Sequence, residues 1–279
     1  MRRLGALFSL LFLCALASSA EAKTAPRAST PRSCVWTTGT GCVGRLTGIS
    51  TKAWTSGAAA PVTPTVRAVG TIGGSAAAVT PGLPAGTVAG DLLVMLIETK
   101  GDQAVTVSGW TQCPGSPSVD ASTTITRITC FYKIAVGADA TTTSDSGDHQ
   151  TARVIAISTG TFNSSTPFDT NQQTSTTASG ATFSITGITT TGANKLILAM
   201  VGADGPDANL GSEYIADASL TDITWYINDA RTNGAASGAS IALYVNTVDI
   251  AAGAYPAVFG VSNTTTTKAN LMLAVNPTP

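Results

Sequence analysis

The chain has 279 residues, a formal net charge of −1 and only 11% charged residues. A chain of this length allows one large or two small domains, and its 43% hydrophobic residues exclude wholesale disorder. Low charge, together with 28 glycines and long tracts of threonine, serine and alanine, favours an all-β protein over a helical one. A nearly neutral chain lacks the positive charge that binding to nucleic acid requires, so we expect no nucleic-acid partner.

Residues 1–22 have the pattern of an export signal. Met1-Arg2-Arg3 is positively charged, residues 4–17 are mainly apolar, and Ala20-Glu21-Ala22 has the small residues of a cleavage site. The apolar stretch is shorter than the ~20 residues of a membrane-spanning helix. We therefore predict cleavage before Lys23, a secreted or cell-surface protein, and no membrane span in the mature chain.

Four cysteines lie beyond the signal, and an even number in an exported chain predicts disulfides. Four cysteines can pair in three ways, and closeness along the chain favours Cys34–Cys42 and Cys113–Cys130. The alternative is a metal site, which would require C-x-x-C spacings or companion histidines. Because the chain has a single histidine, we favour the disulfides. The first pair lies in a lead-in rich in Thr, Ser, Ala and Pro, residues 23–61.

Residues 62–160 and 161–279 repeat one order of features. Each contains a short apolar run behind a turn, Leu92–Ile97 in the first copy and Leu196–Val201 in the second. Runs of this length between turn signals predict buried strands. Since both faces of such a strand are apolar, each must be covered on two sides, and the other copy is the obvious second cover.

Seven strands are predicted in each copy, which is the pattern of a β-sandwich. We therefore predict an all-β protein of two tandem, internally duplicated, jelly-roll-like β-sandwich modules. The alternative is one large jelly roll in which both copies interleave. Duplication further predicts that Trp110 matches Trp225 and that Tyr132 matches Tyr244. The predicted strands fall near residues 65–70, 75–80, 91–99, 104–112, 123–134, 141–144 and 152–158, and near residues 168–174, 181–186, 195–203, 220–228, 239–247, 256–262 and 269–275.

Signatures of catalysis are scarce. A Ser-His-Asp or Cys-His arrangement needs a histidine base, and the single histidine, His149, lies in a polar loop. Glycosidases need only two carboxylates, so a carbohydrate-active enzyme that uses loop carboxylates is the alternative. We expect no cofactor.

One acidic cluster in the second copy has the oxygen ligands that calcium prefers, namely Asp204, Asp207 and Asn209. Its spacing matches no EF-hand, and a turn held by Asp and Asn side chains is the competing interpretation. The first copy has Lys100 in the matching loop, where a cation site needs oxygen. A calcium site is therefore predicted for the second copy alone, in a loop longer than that of the first.

Several motifs resemble a β-sandwich module of phage virion and tail proteins and of exported bacterial surface proteins. The resemblance covers most of residues 80–276 and includes no catalytic motif. It implies a structural or adhesive role. The export signal and the cysteine pairs differ from virion proteins, which assemble in the cytosol, and so favour an exported bacterial protein. The motifs are Pro84-Ala85-Gly86, Gly90-Asp91-Leu92-Leu93-Val94, Gly109-Trp110-Thr111-Gln112, Phe131-Tyr132-Lys133-Ile134-Ala135, Pro167-Phe168-Asp169 and Gly187-Ile188-Thr189-Thr190-Thr191-Gly192-Ala193-Asn194-Lys195-Leu196.

Together these features predict a secreted, non-enzymatic surface protein. It would contact glycans or a cell-surface partner, or assemble with itself. Besides the carbohydrate-active enzyme, a structural protein of a virion or tail is the remaining alternative.

Overall fold

The structure is a computed structural model that describes residues 61–120, 126–143, 150–177, 180, 182–204, 223–232, 238–246, 249–261 and 267–279. All of them belong to one compact unit, residues 57–279. The described part contains strands and no helix, which confirms the predicted all-β class. The predicted export signal and the Cys34–Cys42 pair lie outside the described residues.

The strands of the first half form one main sheet with the order β1-β7-β3-β6-β4, in which β2 also pairs with β7 and β5 with β6. All of these pairings are antiparallel. The strands are β1 (Val66–Val69), β2 (Gly73–Ser75), β3 (Leu92–Lys100), β4 (Thr111–Gln112), β5 (Ser118–Val119), β6 (Thr126–Ile134) and β7 (Gln150–Ile157).

The second half forms another main sheet and two small two-stranded sheets. The main sheet has the order β12-β13-β11-β16-β8, and the small sheets pair β10 with β14 and β9 with β15. The strands are β8 (Gln173–Thr177), β9 (Thr182–Ile185), β10 (Ile188–Thr190), β11 (Leu196–Asp204), β12 (Ile223–Thr232), β13 (Gly238–Asn246), β14 (Gly253–Tyr255), β15 (Val258–Val261) and β16 (Lys268–Val275).

The two main sheets have the same strand order when β3 is placed on β11. Each central strand lies between two strands that come later in its half of the chain. Strand β3 lies between β6 and β7, and β11 lies between β13 and β16. The register agrees as well, because Leu92 pairs with Ile157 and Leu196 pairs with Val275. The first residues of the two central strands therefore occupy matching places.

The main sheets share one hydrophobic cluster, which we call the inner core. Alternate residues of β3 and β11 enter it, and β11 contacts both β3 and β6. Successive side chains of a strand point to opposite faces, so the remaining residues of β3 and β11 enter separate outer clusters. The inner core includes Leu92, Val94, Leu96, Ile128, Ile155 and Ile157 of the first sheet and Leu196, Leu198, Met200, Leu243, Leu271 and Leu273 of the second.

The outer clusters are covered by different means. Leu93, Met95 and Ile97 of the first sheet pack with residues of connecting segments, such as Val79 and Val105. Ile197, Ala199 and Val201 of the second sheet instead pack with residues of the small sheets, which include Phe183, Ile185, Ile188, Tyr255 and Val258. Both predicted apolar runs are thus buried on two sides.

Several short predicted strands differ from those in the structure. Of predicted strand 104–112, only Thr111 and Gln112 form a strand, and Val107 makes a single bridge to Thr143. Predicted strand 75–80 is replaced by β2, which ends at Ser75. Only Val79, Val105 and Val107 of these stretches are buried, in the outer cluster of the first sheet, so their apolar pattern arises without strand pairing.

The predicted match of Tyr132 with Tyr244 is wrong by one residue. Tyr244 pairs with Ala199, the fourth residue of β11, whereas the fourth residue of β3, Met95, pairs with Phe131. A shift of one residue places a side chain on the opposite face of a sheet. Accordingly, Tyr132 packs on the inner core, whereas Tyr244 belongs to the outer cluster of its sheet.

Candidate functional site

Asp204 is the one predicted calcium ligand within the described residues. It is the last residue of β11, and it is buried. Its Oδ1 lies 4.0 Å from Nζ of Lys100, the last residue of β3. Lys100 of the first half of the chain therefore lies beside Asp204 of the second half. Asp207 and Asn209 lie outside the described residues, so the calcium site stays a prediction.

A second buried carboxylate, Glu98, lies two residues before Lys100 and was not predicted as a site. Its side chain has no solvent exposure, and Thr126 Oγ1 donates a 2.7 Å hydrogen bond to its Oε1. Gly202 of the other main sheet lies opposite, where a Cβ atom would be 3.0 Å from Glu98 Cγ. The absent side chain of Gly202 thus leaves room for Glu98. For Glu98 to contact a substrate, the two sheets would have to separate.

The other end of the sheets holds two ion pairs in matching places, each with a buried aspartate. In the first sheet, Arg67 Nε lies 2.8 Å from Asp91 Oδ2. In the second, Lys195 Nζ lies 2.8 Å from Asp169 Oδ2. Asp91 and Lys195 immediately precede the matching residues Leu92 and Leu196.

The outer members of these ion pairs also match. Val66 pairs with Ile157, and Phe168 makes a bridge to Val275, the residue that matches Ile157. Arg67 follows Val66, just as Asp169 follows Phe168. The cation and the anion have therefore exchanged places between the two sheets.

The carboxyl group of Asp169 is perturbed by its surroundings. Burial by itself raises the pKa of Asp169, but hydrogen bonds from Lys195 and Thr191 and the charge of Lys195 outweigh it and bring this pKa to about 2. Thr191 donates from its backbone N–H at 2.9 Å. These contacts hold a charged carboxylate in a buried place, which is a structural role.

Trp110, which is predicted to match Trp225, packs on the outer cluster of the first sheet. Its Nε1–H donates a 2.8 Å hydrogen bond to the carbonyl oxygen of Ala140. Trp225 lies in β12 and pairs with Tyr244. Trp110 immediately precedes β4, which pairs with β6, and Trp225 lies in β12, which pairs with β13. Gln112 pairs with Phe131, the residue that matches Tyr244. Gln112 therefore matches Trp225, and the predicted match of Trp110 with Trp225 is wrong by two residues.

The predicted Cys113–Cys130 disulfide is present, with Cα atoms 5.2 Å apart. It links the segment between β4 and β5 to β6. Replacing both cysteines with alanine should lower the free energy of unfolding by about 2–4 kcal/mol, because the 17-residue link no longer restricts the unfolded chain. Urea denaturation of the mature chain measures this loss. The control is a chain in which Cys34 and Cys42 are replaced with alanine, and reduction of its remaining disulfide should lower the free energy of unfolding by a similar amount. An unchanged unfolding free energy would contradict a stabilising role.

The outer edges beside β6 and β13 differ between the sheets. In the second sheet, β12 is a strand of ten residues, and among the described residues it pairs with β13 alone. In the first sheet, the matching edge is divided into β4 and β5, each of two residues. Pro114 and Pro117 lie between them and cannot donate backbone hydrogen bonds. We call the side of β12 that pairs with no described strand the open edge, and it is the candidate contact site.

Comparison with models of protein families, with curated proteins and with solved structures found no match. Within the described ranges, His, Cys, Asp and Glu side chains form no group of three that could hold a metal ion. The described residues also include no helix long and apolar enough to cross a membrane.

Proposed function

We propose that the chain is an exported, non-enzymatic structural or adhesive protein that acts through its surfaces. The observation that carries this proposal is the open edge, because unpaired strand edges are contact sites that proteins otherwise shorten or cover. The Cys113–Cys130 disulfide supports an oxidising compartment, as does the predicted export signal. The resemblance to exported bacterial surface proteins and to phage virion and tail proteins agrees with this role.

We further propose that the architecture is a tandem duplication of one sheet module, whose two copies together form a β-sandwich. The shared strand order, the matching registers and the exchanged ion pairs all support it. Gly90 and Asn194, which stand two residues before Leu92 and Leu196, both have positive φ angles, 91° and 57°. Glycine and asparagine are the residues that adopt this conformation most readily. Matching turns at matching places favour descent of both copies from one module.

In this architecture the two main sheets face each other across the inner core. The small sheets and the connecting segments form the outer layers. Such an arrangement departs from two independent sandwiches, because each module uses the other as a cover. It also differs from one interleaved jelly roll, since each main sheet takes its strands from one half of the chain.

A glycan array combined with a turnover assay tests the proposed function. The mature chain, residues 23–279, should bind a subset of glycans or self-associate, and it should release no sugar product from the glycans it binds. Hydrolysis of a bound glycan would overturn the non-enzymatic role and favour the alternative that uses carboxylates. A chain that neither binds a glycan nor self-associates would also contradict the proposal.

A further inference from the structure

We propose that the open edge binds a second copy of this chain, with β12 of one copy antiparallel to β12 of the other. This inference rests on the proposed structural role and specifies its partner. The pairing would join the two second sheets into one continuous sheet around a two-fold axis. Such an interface uses the same surface on both copies.

The backbone of β12 provides the first argument. It pairs with β13 from Ile223 to Thr232, with one irregularity between Trp225 and Ile227. The regular part, Ile227–Thr232, lies beyond that bulge. Because N–H and C=O groups of a strand alternate between its two sides, the regular part offers a row of donors and acceptors on the side away from β13.

The composition of β12 provides the second argument. Its ten residues are mainly β-branched, aromatic or small, and they include no proline, glycine or lysine. Proline, lysine and very short strands are the usual means of protecting an edge. The first sheet uses two of them, since β4 and β5 are two residues long and prolines lie between them. The matching edge of the second sheet has neither of these two features, and its bulge between Trp225 and Ile227 leaves the regular part Ile227–Thr232 unbroken.

Charge selects a second copy as the partner. The two charged residues of β12 are Asp229 and Arg231, which lie on either side of Ala230. In antiparallel pairing around a two-fold axis at Ala230, position 229 of each strand lies opposite position 231 of the other. Both cross-strand pairs then join opposite charges, which is favourable. The regular part of β12 is thus complementary to itself.

Charge exchange gives a matched test in the mature chain. Analytical ultracentrifugation should show a dimer of the wild type, and Asp229→Arg or Arg231→Asp should raise its dissociation constant at least tenfold, because like charges then face each other. The double variant Asp229→Arg with Arg231→Asp should restore the dimer, because opposite charges face each other again. A thermal melt of each variant checks that the fold is retained.

A cysteine at the axis gives an independent measurement. Ala230→Cys should form a disulfide-linked dimer under mild oxidation, because the two residues at the axis lie opposite each other. Thr189→Cys, at an exposed position of β10, is the control and should remain a monomer on a non-reducing gel. If a charge variant fails to fold, this cross-linking measurement still tests the proposed dimer.

Three results would overturn the inference. They are a wild-type chain that is monomeric at all concentrations, a dimer that single charge reversal leaves unchanged, and a folded double variant that does not dimerise. A monomeric chain that binds glycans without cleaving them would overturn the inference and leave the proposed function standing.

Discussion

Replacing Ile197 with alanine should lower the free energy of unfolding by about 2–5 kcal/mol. Ile197 is the second residue of β11 and has no solvent exposure. It packs with Phe183 and Tyr244 in the outer cluster of the second sheet. Removing its side chain forfeits the burial of the deleted methyl and methylene groups and leaves a cavity that a sheet covered on both sides closes poorly. Leu93→Ala, in the outer cluster of the first sheet, should cost a similar amount.

Both substitutions should shift the same unfolding transition. The two main sheets share the inner core, so neither sheet can lose its cover without exposing apolar residues of the other. Equilibrium denaturation in urea, followed by far-ultraviolet circular dichroism and by tryptophan fluorescence, measures the midpoint and tests whether the two signals coincide.

Val136→Ala is the matched control, because its side chain is 71% exposed. It should change the unfolding free energy by less than about 0.5 kcal/mol. A loss below that value for Ile197→Ala would contradict burial of β11. Two separate transitions, each sensitive to one of the core substitutions, would contradict the shared core.

The central strands could be predicted from the sequence because their signal is local. A run such as Leu92–Ile97 is apolar at successive positions, and burial on both faces is the simplest reason for that. The structure confirms the runs as β3 and β11 within one or two residues. Their second cover was also predicted, since the inner core contains residues of both halves.

The short strands could not be predicted as well, because their pairing is not local. Strands β10 and β14 have three residues each, and they pair over a separation of about sixty residues. A stretch such as Ile188–Thr190 shows no periodicity of its own. Conversely, Val105 and Val107 are buried in a connecting segment, so their alternating pattern was interpreted as a strand.

The residues of the candidate site were likewise predictable only where their signal is local in the sequence. Asp204 was found because it stands in an acidic cluster, but its neighbour Lys100 comes from the other half of the chain. In the sequence, Glu98 directly follows the apolar run Leu92–Ile97, and nothing there indicates a site. Only the packing of the two main sheets shows that it lies opposite Gly202. The exchanged ion pairs were missed because residues of opposite charge occupy the matching places, which hides the correspondence from any comparison of residue types.

The second large effect on stability is expected at the Asp169–Lys195 ion pair. Lys195→Met should lower the free energy of unfolding by about 3–5 kcal/mol, because it leaves the buried carboxylate of Asp169 without its cation. The side chain of Asp169 has no solvent exposure and that of Lys195 only 7%. Asp169→Asn combined with Lys195→Met removes both charges and should cost much less than the sum of the two single changes. A double-mutant cycle in urea measures this coupling.

The first sheet contains the control. Arg67→Met breaks the matching pair, but 31% of the Arg67 side chain is exposed, and Asp91 accepts backbone hydrogen bonds from Val88 and Thr159. Water can therefore replace part of the interaction, and this variant should lose less stability than Lys195→Met. Equal losses, or additive costs in the cycle, would mean that the Asp169–Lys195 pair does not act as a unit.

The dependence of stability on pH in acid should also reflect the Asp169–Lys195 pair. Because the pKa of Asp169 is lowered to about 2 from an ordinary value of 3.8, its contribution to stability is fully present above pH 3.8 and is lost as the pH falls through about 2. Lys195→Met removes the hydrogen bond and the charge that keep this pKa low, so the pKa should rise. The variant should therefore lose less stability than the wild type as the pH falls from 3.8 to about 2, so the difference in stability between the two should narrow in acid. Arg67→Met leaves Asp169 and its partners in place, so an NMR titration that follows the Asp169 carboxyl should show an unchanged pKa, which separates the pair's electrostatic contribution from a general loss of packing.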